Sequence, residues 1–410
     1  NNAGIGQKMN SQTDFDLIIV GGGMVGASLA CALKNASLNI ALIEAFEPQS
    51  EQQPSYDDRG IALAYGSQRI FESMGLWEQL AAHSTAISDI HVSDRGHFGV
   101  TRLSAHDENV PALGQVITAR SMGHVLNQAL SLQNNLEIIC PASVISLNQH
   151  SDHVDLLLNN DRQLSANLIV AADGAHSTIR QLLELGALEH DYRQTAITAN
   201  ITPERVHQGR AFERFTDSGP IAFLPMSDNR CSLVWTVKTG DEKAILQLSE
   251  SDFLETLQDR FGYRLGKLKH VGQRNSYPLK LMQADQPIQH RIVLIGNAAH
   301  SLHPIAGQGF NLGLRDVAAL ADVLVSHEGD CGNPRLLHDY SQWRQEDQDS
   351  VIDNTNTLVN VFSNNNPLLG HLRGAALTLI DALPIAKHAL AYKSMGLNRK
   401  QPRLGRGIAL

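Results

Sequence analysis

Residues Asp14–Glu44 read DFDLIIVGGGMVGASLACALKNASLNIALIE, and this stretch decides the fold. The apolar run Phe15–Val20 predicts a buried strand, since it is short, rich in β-branched residues and stopped by glycine. A helix is predicted to about Leu33, and Asn39–Ile43 predicts a second strand that ends in an acid. A strand, a glycine turn at Gly21–Gly26, a helix and a strand in this order indicate a βαβ unit.

The glycine turn has the G-x-G-x-x-G spacing that is typical of dinucleotide-binding units. Gly21 makes the turn, Gly23 lets a pyrophosphate approach the backbone, and Gly26 lets the helix pack on the strand. The carboxylate of Glu44 is expected to accept the ribose hydroxyls of an adenosine. The alternative is a tight strand-to-helix turn without a ligand. The predicted binding residues of this unit are Gly21, Gly23, Met24, Val25, Gly26 and Glu44.

A second glycine-rich stretch, Arg291–Leu320, reads RIVLIGNAAHSLHPIAGQGFNLGLRDVAAL. It predicts a buried strand at Ile292–Ile295, a loop that contains Pro304, and a helix from about Phe310. A glycine-rich loop that leads into a helix N-terminus presents unpaired backbone N–H groups and the positive end of the helix dipole. The stretch therefore predicts a site for a negatively charged group.

The composition is that of an ordinary protein of two or three domains. The 410 residues carry a net charge of −9, which argues against a nucleic-acid partner. Four scattered cysteines without a C-x-x-C indicate reduced thiols rather than a disulfide framework. No apolar run approaches the roughly 20 residues of a membrane span. With no basic or apolar leader at the N-terminus, we expect a cytoplasmic location.

Three more polar positions are candidates, each with an ordinary structural alternative. Arg59 stands before an apolar run, where a salt bridge to Asp57 or Asp58 is equally expected. Arg120 begins a helix and could simply be solvated. Asp173-Gly174 follows a buried strand and precedes a helix capped at Ser177, so the alternative is an ordinary strand-to-helix turn.

Read together, these motifs resemble the single-component flavin-dependent aromatic hydroxylases, the group that includes p-hydroxybenzoate hydroxylase. The motifs are Gly21–Gly26, Asp173-Gly174 and Gly296–Asp316. The segments HVSDRGHFG at His91–Gly99 and AFERFTDSGPIAFLPMSDNRCSLVW at Ala211–Trp235 are similar to the ubiquinone-biosynthesis branch of this family. The likeness covers roughly Asp14–Tyr392.

The resemblance implies FAD as cofactor and assigns roles to residues of this chain. Arg59 and Arg120 are expected along the FAD, and Asp173 near the pyrophosphate, with an influence on NADPH use. The family usually has Gly-Asp where this chain has Gly296-Asn297, so the ribityl contact is assigned to Asn297, without charge assistance. The loop around the flavin ring is assigned to Pro304, Gly307, Gln308, Gly309, Phe310 and Asn311.

The implied reaction is hydroxylation of a prenylated phenol with O2 and NAD(P)H, through a C4a-hydroperoxyflavin. The loop Gly307–Phe310 would stabilise the negative charge of the reduced flavin, and Pro304 would face the ring. The electron donor could instead be a protein, since no second dinucleotide-binding motif follows. Association with other quinone-biosynthesis proteins is a further expectation.

The expected fold class is α/β (α+β overall), a Rossmann-like FAD-binding domain with an inserted antiparallel-sheet substrate domain and a C-terminal helical segment. Strand-and-turn texture from Tyr192 to Val237 indicates the inserted sheet. The predicted domains are 9–84, 106–188 and 288–330 for FAD, 85–105 and 189–287 for substrate, and 331–410 for the helical segment and basic tail.

Several alternatives are kept. The apolar helical segment and basic tail indicate a peripheral contact with the inner face of a membrane, or else a packing helix with a disordered tail. His300 and His303 form an H-x-x-H, but a zinc site needs further ligands, so no metal is expected. A flavin-dependent halogenase, which would share the fold, is disfavoured because those enzymes carry a W-x-W-x-I-P signature. Here Thr-Val-Lys follows Trp235, and no second tryptophan lies nearby. A flavoprotein reductase of isoprenoids and a non-catalytic FAD-bound scaffold remain as rivals.

Overall fold

The computed structural model describes residues 13–47, 58–362 and 367–410. The strands are β1 Phe15–Val20, β2 Ile40–Ile43, β3 Gly60–Ala64, β4 Ser84–Ile87, β5 Asp89–Asp94, β6 Val100–Ser104, β7 Gly114–Thr118, β8 Leu136–Ile139, β9 Val144–Gln149, β10 Val154–Leu158, β11 Gln163–Ala171, β12 Ala187–Pro203, β13 Arg210–Thr216, β14 Gly219–Met226, β15 Arg230–Lys238, β16 Leu268–Val271, β17 Asn275–Ala284, β18 Ile288–Gln289, β19 Ile292–Leu294 and β20 His300–Ser301. The helices are α1 Met24–Ala32, α2 Tyr65–Ser73, α3 Trp77–Ala81, α4 Ala119–Leu130, α5 Thr178–Leu182, α6 Asp241–Leu246, α7 Glu250–Phe261, α8 Gln308–Val325, α9 Pro334–Phe362, α10 Pro367–Ala382 and α11 Pro384–Ser394.

The first sheet forms the nucleotide-binding part of the fold. Its order is β18-β19-β11-β1-β2-β8, and the five strands from β19 to β8 run parallel. Both faces are covered, since Leu17 and Ile19 pack with the helices and Ile18 packs on the opposite side. A parallel sheet buried on both faces explains why β1 reads as a continuous apolar run.

The second sheet has nine strands and follows the order β20-β17-β12-β15-β14-β13-β5-β6, with β16 on β12. One face packs on α7, where Phe253 and Phe261 are buried with Trp235. The sheet draws its strands from 89–104, from 187–284 and from 300–301. Strands β5 and β13 are distant in sequence and pair in parallel. The domain boundaries given above stay a prediction.

The C-terminal tail is part of the packed fold. Leu404 is 1% exposed, and its carbonyl accepts a hydrogen bond from Ser73 Oγ at 2.7 Å. Arg403 Nε donates to Asp322 Oδ1 of α8 at 2.6 Å. Disorder of the tail, one of the two expectations, is therefore wrong: a basic residue of the tail is bound to an acid of the nucleotide-binding part.

Candidate functional site

The three glycine motifs converge at one edge of the first sheet. Strands β1, β11 and β19 pair in parallel, with Val20 opposite Ala171 and Ala171 opposite Leu294. Their carboxyl ends therefore point the same way, and Gly21, Asp173 and Gly296 follow within two residues. In open α/β sheets this edge is where ligands bind.

The turn after β1 needs glycine at both ends. Gly21 has φ +102°, and a Cβ there would lie 2.6 Å from the Ala172 carbonyl oxygen. A Cβ on Gly26 would lie 1.9 Å from the Gly21 carbonyl oxygen. Only glycine keeps this turn closed, and the closed turn directs the N-terminus of α1 towards the carboxyl edge of the sheet.

Glu44 lies beside this turn at the end of β2. Its Oε2 accepts from the Gly22 N–H at 2.6 Å, and its Oε1 accepts from the Phe46 N–H at 2.9 Å. The carboxylate is thus oriented by two backbone donors and keeps accepting capacity for a ligand hydroxyl. The contact of Glu44 with a ribose stays a prediction. The contacts of Met24 and Val25, in the first turn of α1, with the cofactor also stay predictions.

Asp173 carries a buried acceptor that lacks a partner within the described residues. Its Oδ2 accepts from the Ile179 N–H at 3.1 Å, while Oδ1 is buried without a hydrogen bond. Burial raises the pKa of Asp173, against the lowering effect of hydrogen bonds from Ser177 and the backbone. The buried Oδ1 leaves Asp173 one polar atom to offer a ligand at this edge, and its contact with a pyrophosphate stays a prediction.

Arg59 and Arg120, the two arginines expected along the FAD, lie just before β3 and at the start of α4. Asp58 pairs with Arg120, whose Nε donates to Asp58 Oδ1 at 2.9 Å on the surface. Arg59 immediately precedes β3 and is partly buried, and Asp57 lies outside the described residues. The roles of Arg59 and Arg120 along the FAD stay predictions.

The second glycine stretch builds the loop expected around a flavin ring. Ile305–Gly307 forms one 3-10 turn after Pro304, and Gly307 has φ +60° as it leads into α8. In an α-helix the first N–H groups, here those of Gly309 and Phe310 among them, have no intrahelical acceptor. A Cβ added to Gly309 meets nothing within 4 Å, so this turn borders open space.

Two amides at this loop have contrasting environments. Asn297 is exposed within the 3-10 turn Gly296–Ala298 and can reach a ligand. Asn311 is buried, and its side chain bonds to Ala64, Ser67, Ala62 and Gly307. Since these four bonds occupy the Asn311 amide, any contact it makes with the cofactor would come from its backbone. The Asn297 contact stays a prediction.

Asp316 of α8 is the centre of a buried hydrogen-bond network, and the sequence alone assigned it no role. Its carboxylate is fully buried and accepts from the Gly296 N–H at 3.2 Å and from His300 Nε2 at 2.6 Å. Arg344 and Gln348 of α9 donate to its other oxygen at 2.8 Å and 3.0 Å. Burial would raise the pKa of Asp316, but the neighbouring His300 and Arg344 outweigh it and hold the pKa well below its ordinary value.

A signal for this network was present in the sequence. Arg315 and Asp316 are adjacent charges in the mostly apolar helix α8, and α9 carries Arg344 and Asp347 three residues apart. Charges on an apolar face are expected to be paired. Arg315 Nε and Arg344 Nη1 both donate to Asp347 Oδ2 at 2.7 Å, which completes the network.

The two histidines of the H-x-x-H are structural in this fold. His300 bonds to Asp316, while the buried His303 accepts the Ile305 N–H on Nδ1 at 3.2 Å. His303 Nε2 therefore carries the proton and faces Gln194 Oε1 at 3.3 Å. Burial lowers the pKa of His303 to about 4, so the ring is neutral and ties the loop to β12.

The face of the second sheet that α7 leaves uncovered packs against the loop Pro304–Asn311, which we call the flavin loop. Phe215 of β13 is buried with Ile305 of the loop and Val359 of α9. Nearby, Ala62 of β3 lies 3.1 Å from the position of a Cβ on Gly307. The loop thus contacts the second sheet through Phe215 and β3 through Ala62.

Comparison with known proteins identifies the class. Residues 14–355 match the FAD binding domain family, so the chain belongs to this family. The carboxyl edge with its glycine turn, the oriented Glu44 and the unpartnered Asp173 oxygen fit FAD. The protein is an FAD-dependent monooxygenase, and the predicted cofactor and fold class are confirmed.

Individual relatives narrow the resemblance. The chain is 36% identical over 401 residues to ubiquinone hydroxylase UbiL of Rhodospirillum rubrum, across 96% of this chain and 93% of that protein. It is 30% identical over 391 residues to 3-demethoxyubiquinol 3-hydroxylase of Escherichia coli, across 93% and 98%. The structure of p-nitrophenol 4-monooxygenase PnpA from Pseudomonas putida has the same fold, with a TM-score of 0.77, 18% identity and coverage of 94% and 98%.

Proposed function

We propose that this protein hydroxylates the ring of a prenylated phenol in ubiquinone biosynthesis. The observation that carries the proposal is similarity along nearly the whole chain to proteins named as ubiquinone hydroxylases. The apolar cluster of Phe215, Ile305 and Val359 at the loop supports it, because binding sites for aromatic rings are lined mostly by apolar side chains. An FAD-dependent monooxygenase uses O2, a reduced nicotinamide donor and an aromatic substrate, and the prenylated phenol refines that last class.

The residues of the loop would hold the cofactor and keep water away from it. FAD, when bound, supplies activated oxygen for transfer to an electron-rich ring. The N–H groups in the first turn of α8, at Gly309 and Phe310, would stabilise negative charge on the reduced ring. Phe215, Ile305 and Val359 are buried together at the loop and exclude water from that side.

The test is a turnover measurement on the purified flavoprotein. We expect oxidation of NAD(P)H that depends on a short-chain prenylphenol, with one hydroxyl added to the ring. Hydroxylation only after chemical reduction of the flavin would identify a protein electron donor. Reduction of an isoprenoid double bond, or bound FAD without substrate-dependent oxygen uptake, would contradict the proposal and favour the reductase or the scaffold.

We also propose that α10 and α11 contact an anionic membrane surface. Large apolar side chains are exposed there, with Ile385 at 87% and Phe98 of the adjoining β5–β6 turn at 100%, beside Leu379 and Leu383. Lys393 lies at the end of the same segment. Within the described residues, no single helix has the length and apolarity of a membrane span, while the bent pair Arg373–Ala382 and Pro384–Ser394 passes that test by length and composition.

This membrane contact accords with the proposed substrate. A prenylated phenol would dissolve largely in the lipid phase, so a protein that lies at the surface could take it up there. We place the protein on the cytoplasmic side in this proposal, in association with other quinone-biosynthesis proteins.

A further inference from the structure

Glu213 lies on the face of the second sheet that meets the flavin loop. Side chains alternate along a strand, so Ala211, Glu213 and Phe215 of β13 share one face. Phe212 points the other way and packs on Phe261 of α7, with ring centroids 5.7 Å apart. Glu213 is therefore a carboxyl on the face that α7 does not cover.

The neighbours of Glu213 on its own strand both reach the loop region. Phe215 is buried with Ile305 of the loop. Ala211 belongs to a cluster that includes Ala62, and Ala62 is the residue closest to the Cβ position of Gly307. Glu213 thus lies between two contacts that connect β13 to this region of the fold.

The residues in register with Glu213 on the two neighbouring strands are small or apolar. They are Ala222 of β14 and Val92 of β5. Both are shorter than glutamate, and their side chains offer no hydrogen bond. The geometry leaves the Glu213 carboxyl between apolar side chains, on the face of the sheet that meets the flavin loop.

The other titratable groups on this face have partners of their own. Asp94 of β5 accepts from Arg373 of α10 at 3.1 Å. Tyr192 of β12 bonds to Asn356 of α9, and burial raises its pKa to about 12. His303 of the loop is neutral and faces Gln194. Burial is the cause that raises the pKa of Glu213 to about 7.

We propose that Glu213 is the catalytic base that removes the phenolic proton of the substrate. The phenolic O–H bond breaks, the proton passes to one carboxylate oxygen, and the electron pair stays on the phenolic oxygen. Electron density then rises at the ortho and para carbons, which prepares the ring for oxygen transfer. A base that titrates close to neutral pH is suited to this step. The inference rests on the proposed function.

The first test compares Glu213→Gln with Glu189→Gln, a control on an exposed glutamate of β12 in the same sheet. We expect Glu213→Gln to lower kcat for a short-chain prenylphenol about 10²- to 10⁴-fold, with normal FAD content. In the wild type and the control, kcat should rise with pH through about 7. The Glu213→Gln enzyme should lack this rise. Wild-type kcat and pH profile in Glu213→Gln would overturn the proposal.

The second test measures binding without turnover, by calorimetry with phenol and the oxidised holoenzyme. Phenol should bind the wild type more tightly as pH rises through about 7, because the ionised carboxylate accepts the phenolic hydrogen bond. Glu213→Gln should bind phenol with an affinity that does not change over this range. The same pH dependence in Glu213→Gln would overturn the proposal.

The two tests separate this inference from the proposed function. A wild type that shows the pH-dependent binding but hydroxylates no phenol would refute the proposed function and Glu213 as its base, while leaving the phenol site in place. A wild type that hydroxylates phenols with an unaffected Glu213→Gln variant would refute only the base.

Discussion

Gly309 and Gly26 both belong to glycine motifs, yet their surroundings differ. Open space lies beside Gly309, whereas a Cβ on Gly26 would lie 1.9 Å from a backbone oxygen. We therefore expect Gly309→Val to fold, with an unfolding free energy within about 0.5 kcal/mol of the wild type, because valine is a slightly better helix former than glycine. The valine should occupy the space beside the flavin loop and leave a colourless protein. Absorbance of bound FAD, with circular dichroism for folding, measures both effects.

The matched control for that experiment is Gly26→Val, which we expect to be misfolded because the backbone cannot move away. Full FAD occupancy in the Gly309→Val protein would contradict the placement of the flavin ring against this turn.

Glu213 should also affect stability with a defined sign. Its pKa in the folded protein is raised to about 7, against about 4.3 in an unfolded chain. The fold therefore favours the protonated acid, and this stability is lost as pH rises from about 4.3 through 7. Glu213→Gln cannot ionise, so its melting temperature should exceed that of the wild type above pH 7, by a margin that vanishes below about pH 4. A margin that is constant with pH would contradict a Glu213 that ionises between apolar side chains.

Residues whose role is steric could be predicted from the sequence. Residues whose role depends on their surroundings in the folded protein could not. Gly21 and Gly26 follow from spacing alone, because the turn tolerates no side chain. Glu213 sits in a strand that reads RAFERFT, and nothing in that pattern says which face meets the flavin loop. The face is set by the parallel pairing of β13 with β5, a strand far earlier in the chain. Such long-range pairing is not encoded in local periodicity.

At the scale of elements, the buried ionic network connects α8 to α9. It contains two arginines and two aspartates, and it also holds His300 and the Gly296 N–H, both of which precede the flavin loop. Removing one partner from such a group leaves an uncompensated charge in the interior, which costs far more than a surface ion pair is worth. The network thus makes the loop geometry depend on the packing of α9.

Asp347→Asn tests this dependence. Arg315 and Arg344 would lose their shared carboxylate, so we expect a loss of about 3–5 kcal/mol in unfolding free energy, together with weaker FAD binding. Asp349→Asn, an exposed neighbour on the same helix, should stay within about 0.5 kcal/mol of the wild type. Urea unfolding of both variants gives the comparison. Equal stability of the two variants would show that α9 does not depend on the network.

At the scale of the whole molecule, α10, α11 and the β5–β6 turn present apolar surface beside a basic tail. Arg403 of this tail is committed to Asp322, so deleting the tail would damage the fold as well as any membrane contact. Paired changes of exposed side chains are the cleaner experiment. We expect Phe98→Ser with Ile385→Ser to weaken sedimentation with anionic vesicles by about tenfold, because both side chains are exposed and apolar.

The melting temperature of that double variant should match the wild type, since neither side chain is buried. The exposed Leu132→Ser, on the nucleotide-binding part, serves as the control that leaves vesicle binding unchanged. Undiminished vesicle binding by the double variant would contradict the membrane contact.

Most of the architecture was predictable because each strand carries its own pattern. The expected strand Phe15–Val20 coincides with β1, and the helix expected from Ser177 begins at Thr178 with Ser177 as its cap. Of the two alternatives for the tail, disorder was wrong, since basic residues without apolar periodicity look disordered when their acidic partners are distant in sequence. Lys400 lies over the Trp343 ring at 4.6 Å, a contact that no local pattern of the tail reveals.

The most direct test of the account is the fate of molecular oxygen. The purified flavoprotein is supplied with NAD(P)H, a short-chain prenylphenol and isotopically labelled oxygen gas, and the product is analysed by mass spectrometry. If the protein is a ring hydroxylase, each converted substrate should carry one labelled oxygen atom on the aromatic ring. A product that carries oxygen from water, or consumption of oxygen without any ring hydroxylation, would contradict the account.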